Sequence, residues 1–134
     1  IDLRLCSKEE ADSTPESEDG FQLLRHRGPD AWDECRMEFC GGVARLQASV
    51  LHIRGTALQK QPLVQDSVTL AWNGEVFGGL ECSASESDTS AVTRLLSSSS
   101  NANECMEALS SVKGPFAFAA FLLGSGTLVF GRDP

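Results

Sequence analysis

Polar and apolar positions divide the chain into stretches of period two, which predict strands, and stretches of helical period. Ile1, Leu3 and Leu5 alternate and predict a strand or a strand–loop junction. From Met37 to Arg54 alternation resumes, and Gly41-Gly42 interrupts it as a bulge or as a turn between two strands. In Val68 to Gly79 two apolar segments flank Asn73-Gly74. That dipeptide predicts a β-hairpin, because a tight primed turn needs positive φ at both central residues. A second hairpin is predicted from Phe116 to Leu123 and Thr127 to Phe130, joined by Gly124-Ser125-Gly126. The first of these arms is nearly all apolar, as in a strand covered on both faces.

Between the strand-like stretches the period changes. Ala91, Val92, Leu95 and Leu96 form a helical stripe within Ser85 to Ser98, with Ser87 or Asp88 as the cap. A following helix from Asn103 to Val112 would turn Met106, Leu109 and Val112 to one face, and Lys113-Gly114-Pro115 stops it. Near the start, Lys8 to Asp19 is acidic and apolar-poor and reads as a solvated loop. Within it Thr14-Pro15-Glu16 reads as the opening of a helix that carries Phe21, Leu23 and Leu24 inward and ends near Arg27-Gly28-Pro29. The order helix, strands, helices, strands predicts an α+β fold of stacked antiparallel sheets with helices outside.

Composition narrows the function classes. The 134 residues suffice for one domain with its own core. A net charge of −8 argues against nucleic acid or an anionic membrane as partner. The longest apolar run, Phe116 to Leu123, is far short of the about 20 residues that span a bilayer. Cys6, Cys35, Cys40, Cys82 and Cys105 are odd in number and lack Cys-x-x-Cys spacing. They read as reduced thiols of a cytoplasmic protein, neither a disulfide frame nor, with His26 or His52, a zinc site; no metal is expected. The chain starts at Ile1 without Met and stops at Pro134 after a strand-like segment, and is read as a piece of a longer protein.

Chemistry gathers around Asn73. A side-chain amide and an adjacent Gly N–H on a rigid turn are the donor pair that stabilises an oxyanion, and Glu75 follows at once. Taken singly, Glu75 is a solvated charge, Asp88 a helix cap, and Arg27-Gly28-Pro29-Asp30 a helix stop with Arg27 in an ion pair.

Read together, six motifs stand in one order: His26-Arg27-Gly28-Pro29-Asp30, Gln61-Pro62-Leu63, Trp72-Asn73-Gly74-Glu75-Val76-Phe77, Ser87-Asp88-Thr89, Lys113-Gly114-Pro115-Phe116-Ala117-Phe118 and Phe130-Gly131-Arg132-Asp133. This order resembles the class II glutamine amidotransferase domain that opens asparagine synthetases, over residues 21 to 134. Leu51-His52-Ile53-Arg54-Gly55 is similar to the asparagine synthetase domain-containing branch. The resemblance implies a four-layer αββα N-terminal-nucleophile hydrolase sandwich. It also implies hydrolysis of the side-chain amide of L-glutamine, with ammonia passed to a downstream synthetase domain that uses ATP and Mg; no cofactor is implied here.

On that resemblance Asn73 and Gly74 match the oxyanion-hole pair, Glu75 and Asp88 match the carboxylates that hold the substrate amine, and Arg27-Gly28-Pro29-Asp30 has a structural or pocket-edge role. The family's nucleophile is an N-terminal Cys whose own amine is the base. Cys6 is preceded by a peptide bond and is not assigned that role; the nucleophile and first strand are expected upstream, on the order of ten residues away. Val50 stands where the synthetases carry an Arg that clamps the substrate carboxylate. Arg54, four residues on and on the same face of a strand, either substitutes for it or is a surface arginine. Ala31 to Phe39 is read as an outer loop unlike the family's. The alternative is an inactive glutaminase fold serving as an interaction or glutamine-sensing module.

Overall fold

A computed structural model of the chain describes residues 1–6, 18–39, 42–52 and 57–133. Two antiparallel sheets form the body. In the first, β1 (Asp2–Cys6), β2 (Ala31–Phe39) and β3 (Gly42–Val50) take the order β1-β3-β2. In the second, β4 (Leu63–Gln65), β5 (Val68–Gly74), β6 (Phe116–Leu122) and β7 (Thr127–Arg132) are arranged in chain order. Three helices complete the described elements: α1 (Glu18–Arg27), α2 (Asp88–Leu96) and α3 (Ala102–Ser110). The α+β class with antiparallel sheets is as expected.

Each face of the second sheet is buried against something different. Ala71, Ala119 and Phe121 meet Met37, Ala44, Leu46 and Ala48 of the first sheet. On the opposite face Leu70, Trp72, Phe118, Ala120 and Leu122 meet Val92 and Leu96 of α2 and Cys105 and Leu109 of α3. This double burial accounts for the unbroken apolar text of β6. The second hairpin forms as expected, with Leu122 opposite Thr127. Helix α1 lies by β3, where the Ser49 hydroxyl donates to the Leu24 carbonyl at 2.6 Å.

The first predicted hairpin does not form. Asn73 and Gly74 are the last residues of β5, opposite Ala117 and Phe116, and the chain runs on beside Lys113–Pro115 through Glu75 N–H to Pro115 C=O (3.1 Å) and Phe77 N–H to Lys113 C=O (2.8 Å). The reversal lies earlier, at Asp66-Ser67 between β4 and β5, with Asp66 at φ 51°. Gly74 is glycine for a different reason: a Cβ there would stand 2.6 Å from the Phe116 Cα. The dipeptide signals close strand approach here, which reads identically to a turn in one dimension.

Other boundaries shift for physical reasons. Ala31–Phe39 is strand, with Phe39 opposite Gly42, so it pairs with β3 instead of looping. Ser87 caps α2, its Oγ accepting from Ser90 N–H at 3.1 Å, while Asp88 is inside the first turn. Asn101 caps α3 through Glu104 N–H (3.1 Å), and the Glu104 carboxylate accepts in return from Ser100 N–H (2.7 Å). That cap turns Cys105 and Leu109 inward and leaves Met106 50% exposed. Leu23 is also outward, 68% exposed. Glu18 and Asp19 are helical; Thr14, Pro15 and Cys40 lie outside the described residues. No helix among the described residues is long and apolar enough to cross a membrane.

Truncating Phe121, 2% exposed between the sheets, should cost about 3–5 kcal/mol in urea unfolding, whereas Leu23→Ala should stay within about 0.5 kcal/mol. A large loss at Leu23 would contradict the orientation of α1.

Candidate functional site

A cleft of about 490 Å³ opens where the ends of β1, β3 and β5 meet the start of α2. Asn73, Gly74, Glu75 and Asp88 all line it, although Asp88 is distant from the others in sequence. Each arrives by a different device.

Trp72 sets the floor. Its ring stacks on Phe116 at 4.7 Å, its indole N–H donates to the Gly74 carbonyl at 3.2 Å, and its backbone N–H donates to Gln61 Oε1 at 2.7 Å. Gln61, itself buried, donates from Nε2 to Thr89 Oγ1 at 3.0 Å. One amide therefore ties β5 to the first turn of α2. Along β5, successive N–H groups point to alternate edges. The Glu75 N–H is on the β6 side and the Trp72 N–H on the Gln61 side, so the Gly74 N–H points to the Gln61 side. The strand on that edge, β4, ends its pairing at Leu63 opposite Leu70, which leaves the Gly74 edge facing the cleft. Asn73 beside it is exposed, and among the described residues its side-chain amide bonds to nothing in the protein.

The two carboxylates differ. Glu75 is exposed and its side chain has no partner among the described residues. Asp88 is 9% exposed and its Oδ2 accepts from Val76 N–H at 3.0 Å, so it braces the segment after β5 as well as facing the cleft. Outside the cleft Arg94 grips Glu86 (3.1 and 3.2 Å) and the Glu81 carbonyl (2.9 Å), which steadies the loop leading to Ser87. The hydrogen bond from Arg94 holds the Glu86 carboxyl below its usual range.

The opposite wall comes from the first sheet and α1. Val50, at the position of the expected carboxylate clamp, lines the cleft but is apolar and 8% exposed. Arg54 lies outside the described residues. Ile1, His52 and Gln61, to which the sequence assigns no site role, also face the cleft, and Arg27, expected in a structural or pocket-edge role, lines it as well. Gln61 stands in one of the six motifs, but nothing in that motif signals its role, which lies in burial that only the fold supplies. The ion pair expected for Arg27 is not made among the described residues. Of the described cysteines, Cys35, Cys82 and Cys105 do not line the cleft, and burial pushes the Cys35 and Cys105 thiols up. Cys6 ends β1 opposite Val43, while Ile1 at the strand's other end is at the cleft.

No family model matches the chain. Among curated proteins, it is 35% identical over 117 residues to asparagine synthetase domain-containing protein 1 of Homo sapiens, covering 87% of this chain and 18% of that protein. The Mus musculus protein of the same name is 34% identical over the same length, again with 87% of this chain and 18% of that protein. The asparagine synthetase domain-containing protein CG17486 of Drosophila melanogaster is 27% identical over 111 residues, 83% of this chain and 20% of that protein. The chain thus spans less than a quarter of the length of these relatives.

Gln61→Leu should strand the buried Trp72 N–H and loosen α2 from β5 at a cost of about 1–3 kcal/mol. Hydrogen exchange checks this: the Trp72 amide should lose protection, and unchanged exchange would remove Gln61 as the tie.

Proposed function

We propose, from the family-level link of this chain to the asparagine synthetase domain-containing proteins, that it is a glutaminase domain. Its substrate is L-glutamine, and the ammonia it releases feeds an asparagine-synthetase-like, ATP- and Mg-dependent domain of the same protein, in the cytoplasm. The observation that carries this reading is the convergence of Asn73, Gly74, Glu75 and Asp88 on one cleft, with the Asn73 amide unpartnered. Two sheets in contact, α2 and α3 on one outer face, and α1 tied to β3 fit the αββα sandwich this reading requires.

In this reading a thiolate sulfur adds to the side-chain amide carbon of glutamine. The oxyanion that forms is met by the Gly74 N–H, held by the backbone at the end of β5, and by the Asn73 amide, which has no protein partner to give up. Collapse breaks the C–N bond and ammonia leaves with the proton first taken from the thiol. Water then cleaves the thioester to glutamate and regenerates the thiol. Glu75 and Asp88 hold the substrate ammonium, which keeps the side-chain amide aimed at the oxyanion donors. In this reading the nucleophile is an N-terminal Cys expected upstream of the 134 residues, with its own amine as the base.

A second reading keeps the cleft and drops the chemistry. The apolar Val50 at the expected clamp position favours a module that binds glutamine without turnover.

The test uses the full-length protein and measures ammonia and glutamate release from L-glutamine. Asn73→Ala should lower kcat about 10²–10³-fold with a smaller change in KM. Parent protein that binds glutamine but releases no ammonia would overturn the glutaminase reading in favour of the second.

A further inference from the structure

We propose that Arg27 is the specificity-determining cation of the cleft, gripping the α-carboxylate of an α-amino acid whose ammonium is held by Glu75; this rests on the glutamine-binding reading of the same site. Arg27 is the only Arg or Lys among the described residues lining the cleft. Its guanidinium has no hydrogen bond or ion pair among the described residues, and neither has the Glu75 carboxylate. Two opposite charges that face one cavity and are not paired with each other match a ligand that carries the complementary pair.

The backbone fixes where Arg27 starts from. It is the last residue of α1. Next to it, Gly28 is pressed on the end of β3 so closely that a Cβ would lie 2.6 Å from the Val50 nitrogen. Asp30 N–H then donates to the Val50 carbonyl (3.1 Å), and the Asp30 carboxylate accepts from His52 N–H (2.7 Å). With the Ser49–Leu24 bond one turn back, the helix end is fastened over Val50. Arg27 therefore rises from the corner of the cleft where Val50 supplies no charge. A guanidinium there offers a carboxylate two parallel N–H donors, which an ammonium cannot reproduce. The glycine, proline and aspartate after Arg27 are explained together by this fastening, and the arginine by what it leaves exposed.

The test is calorimetric titration of the full-length protein with L-glutamate and L-isoglutamine, which differ by an α-carboxylate against an α-carboxamide. The parent should bind L-glutamate about 10- to 100-fold more tightly than L-isoglutamine. Arg27→Gln should abolish that preference, Arg27→Lys should keep part of it, and Arg54→Gln should leave it whole. A preference that survives in Arg27→Gln, or disappears only in Arg54→Gln, overturns the assignment while the glutaminase reading stands. A parent that binds neither ligand overturns both. The expected pattern without ammonia release from L-glutamine leaves Arg27 assigned and removes the glutaminase.

Discussion

The pairing of β5 with β6 is the constraint on which the cleft depends. Both strands are covered on both faces, by the first sheet on one side and by α2 and α3 on the other. Their register cannot slip by one residue without turning Phe118 and Phe121 each into the wrong layer. That register brings Gly74 against Phe116, a contact with no room for a Cβ, and ends the strand with Asn73 and the Gly74 N–H at the rim. A backbone N–H held in this way would suit electrostatic stabilisation of a developing charge, because a donor that must first reorient gives back much of what it contributes.

Polar groups then fasten the remaining walls to this frame. Gln61 satisfies the Trp72 N–H and the Thr89 hydroxyl at once, and Asp88 satisfies the Val76 N–H. Both side chains are buried, where an unmade hydrogen bond is costly, so each bond also fixes a distance. Asp88 carries two demands, as a brace for the chain after β5 and as a carboxylate facing the cleft. Glu75 carries only the second. A ligand amine would therefore meet one carboxylate already held in place and one free to adjust.

How much of this was legible in the sequence depended on whether the controlling contact was local. Helix α2, with its Ser87 cap and apolar stripe, and the β6–β7 hairpin were readable because period and turn chemistry are near-neighbour properties. Asn73-Gly74 was singled out as the centre, but for a turn it does not make; the same two letters serve a close strand approach that no local pattern distinguishes. Met106 was placed inward because it shares a helical spacing with Leu109 and Val112, while the face that packs is set by Cys105, a residue reserved in the reading for its thiol. Gln61 stands in the sequence as part of a motif without a role at the cleft, and Arg27 as part of one with a structural or pocket-edge role. Their roles come from burial in one case and from the absence of a partner in the other, and both are properties of the folded chain.

The charge pattern of the cleft follows from the same frame. A guanidinium and a carboxylate placed close together would pair with each other and present nothing to a ligand. Here they stand on separate bodies, Arg27 at the end of a helix fastened to the first sheet and Glu75 at the end of a strand in the second. The inter-sheet core holds those bodies apart, and each charge stays solvated until something bridges them. A zwitterion of the right length would bridge them with two charge-assisted contacts, whereas a ligand carrying only one of its charges would leave the other group in water. Under the proposed role of Arg27, selectivity for α-amino acids would then arise from the spacing between two sheets, with the end of α1 supplying the cation at a corner where Val50 is apolar.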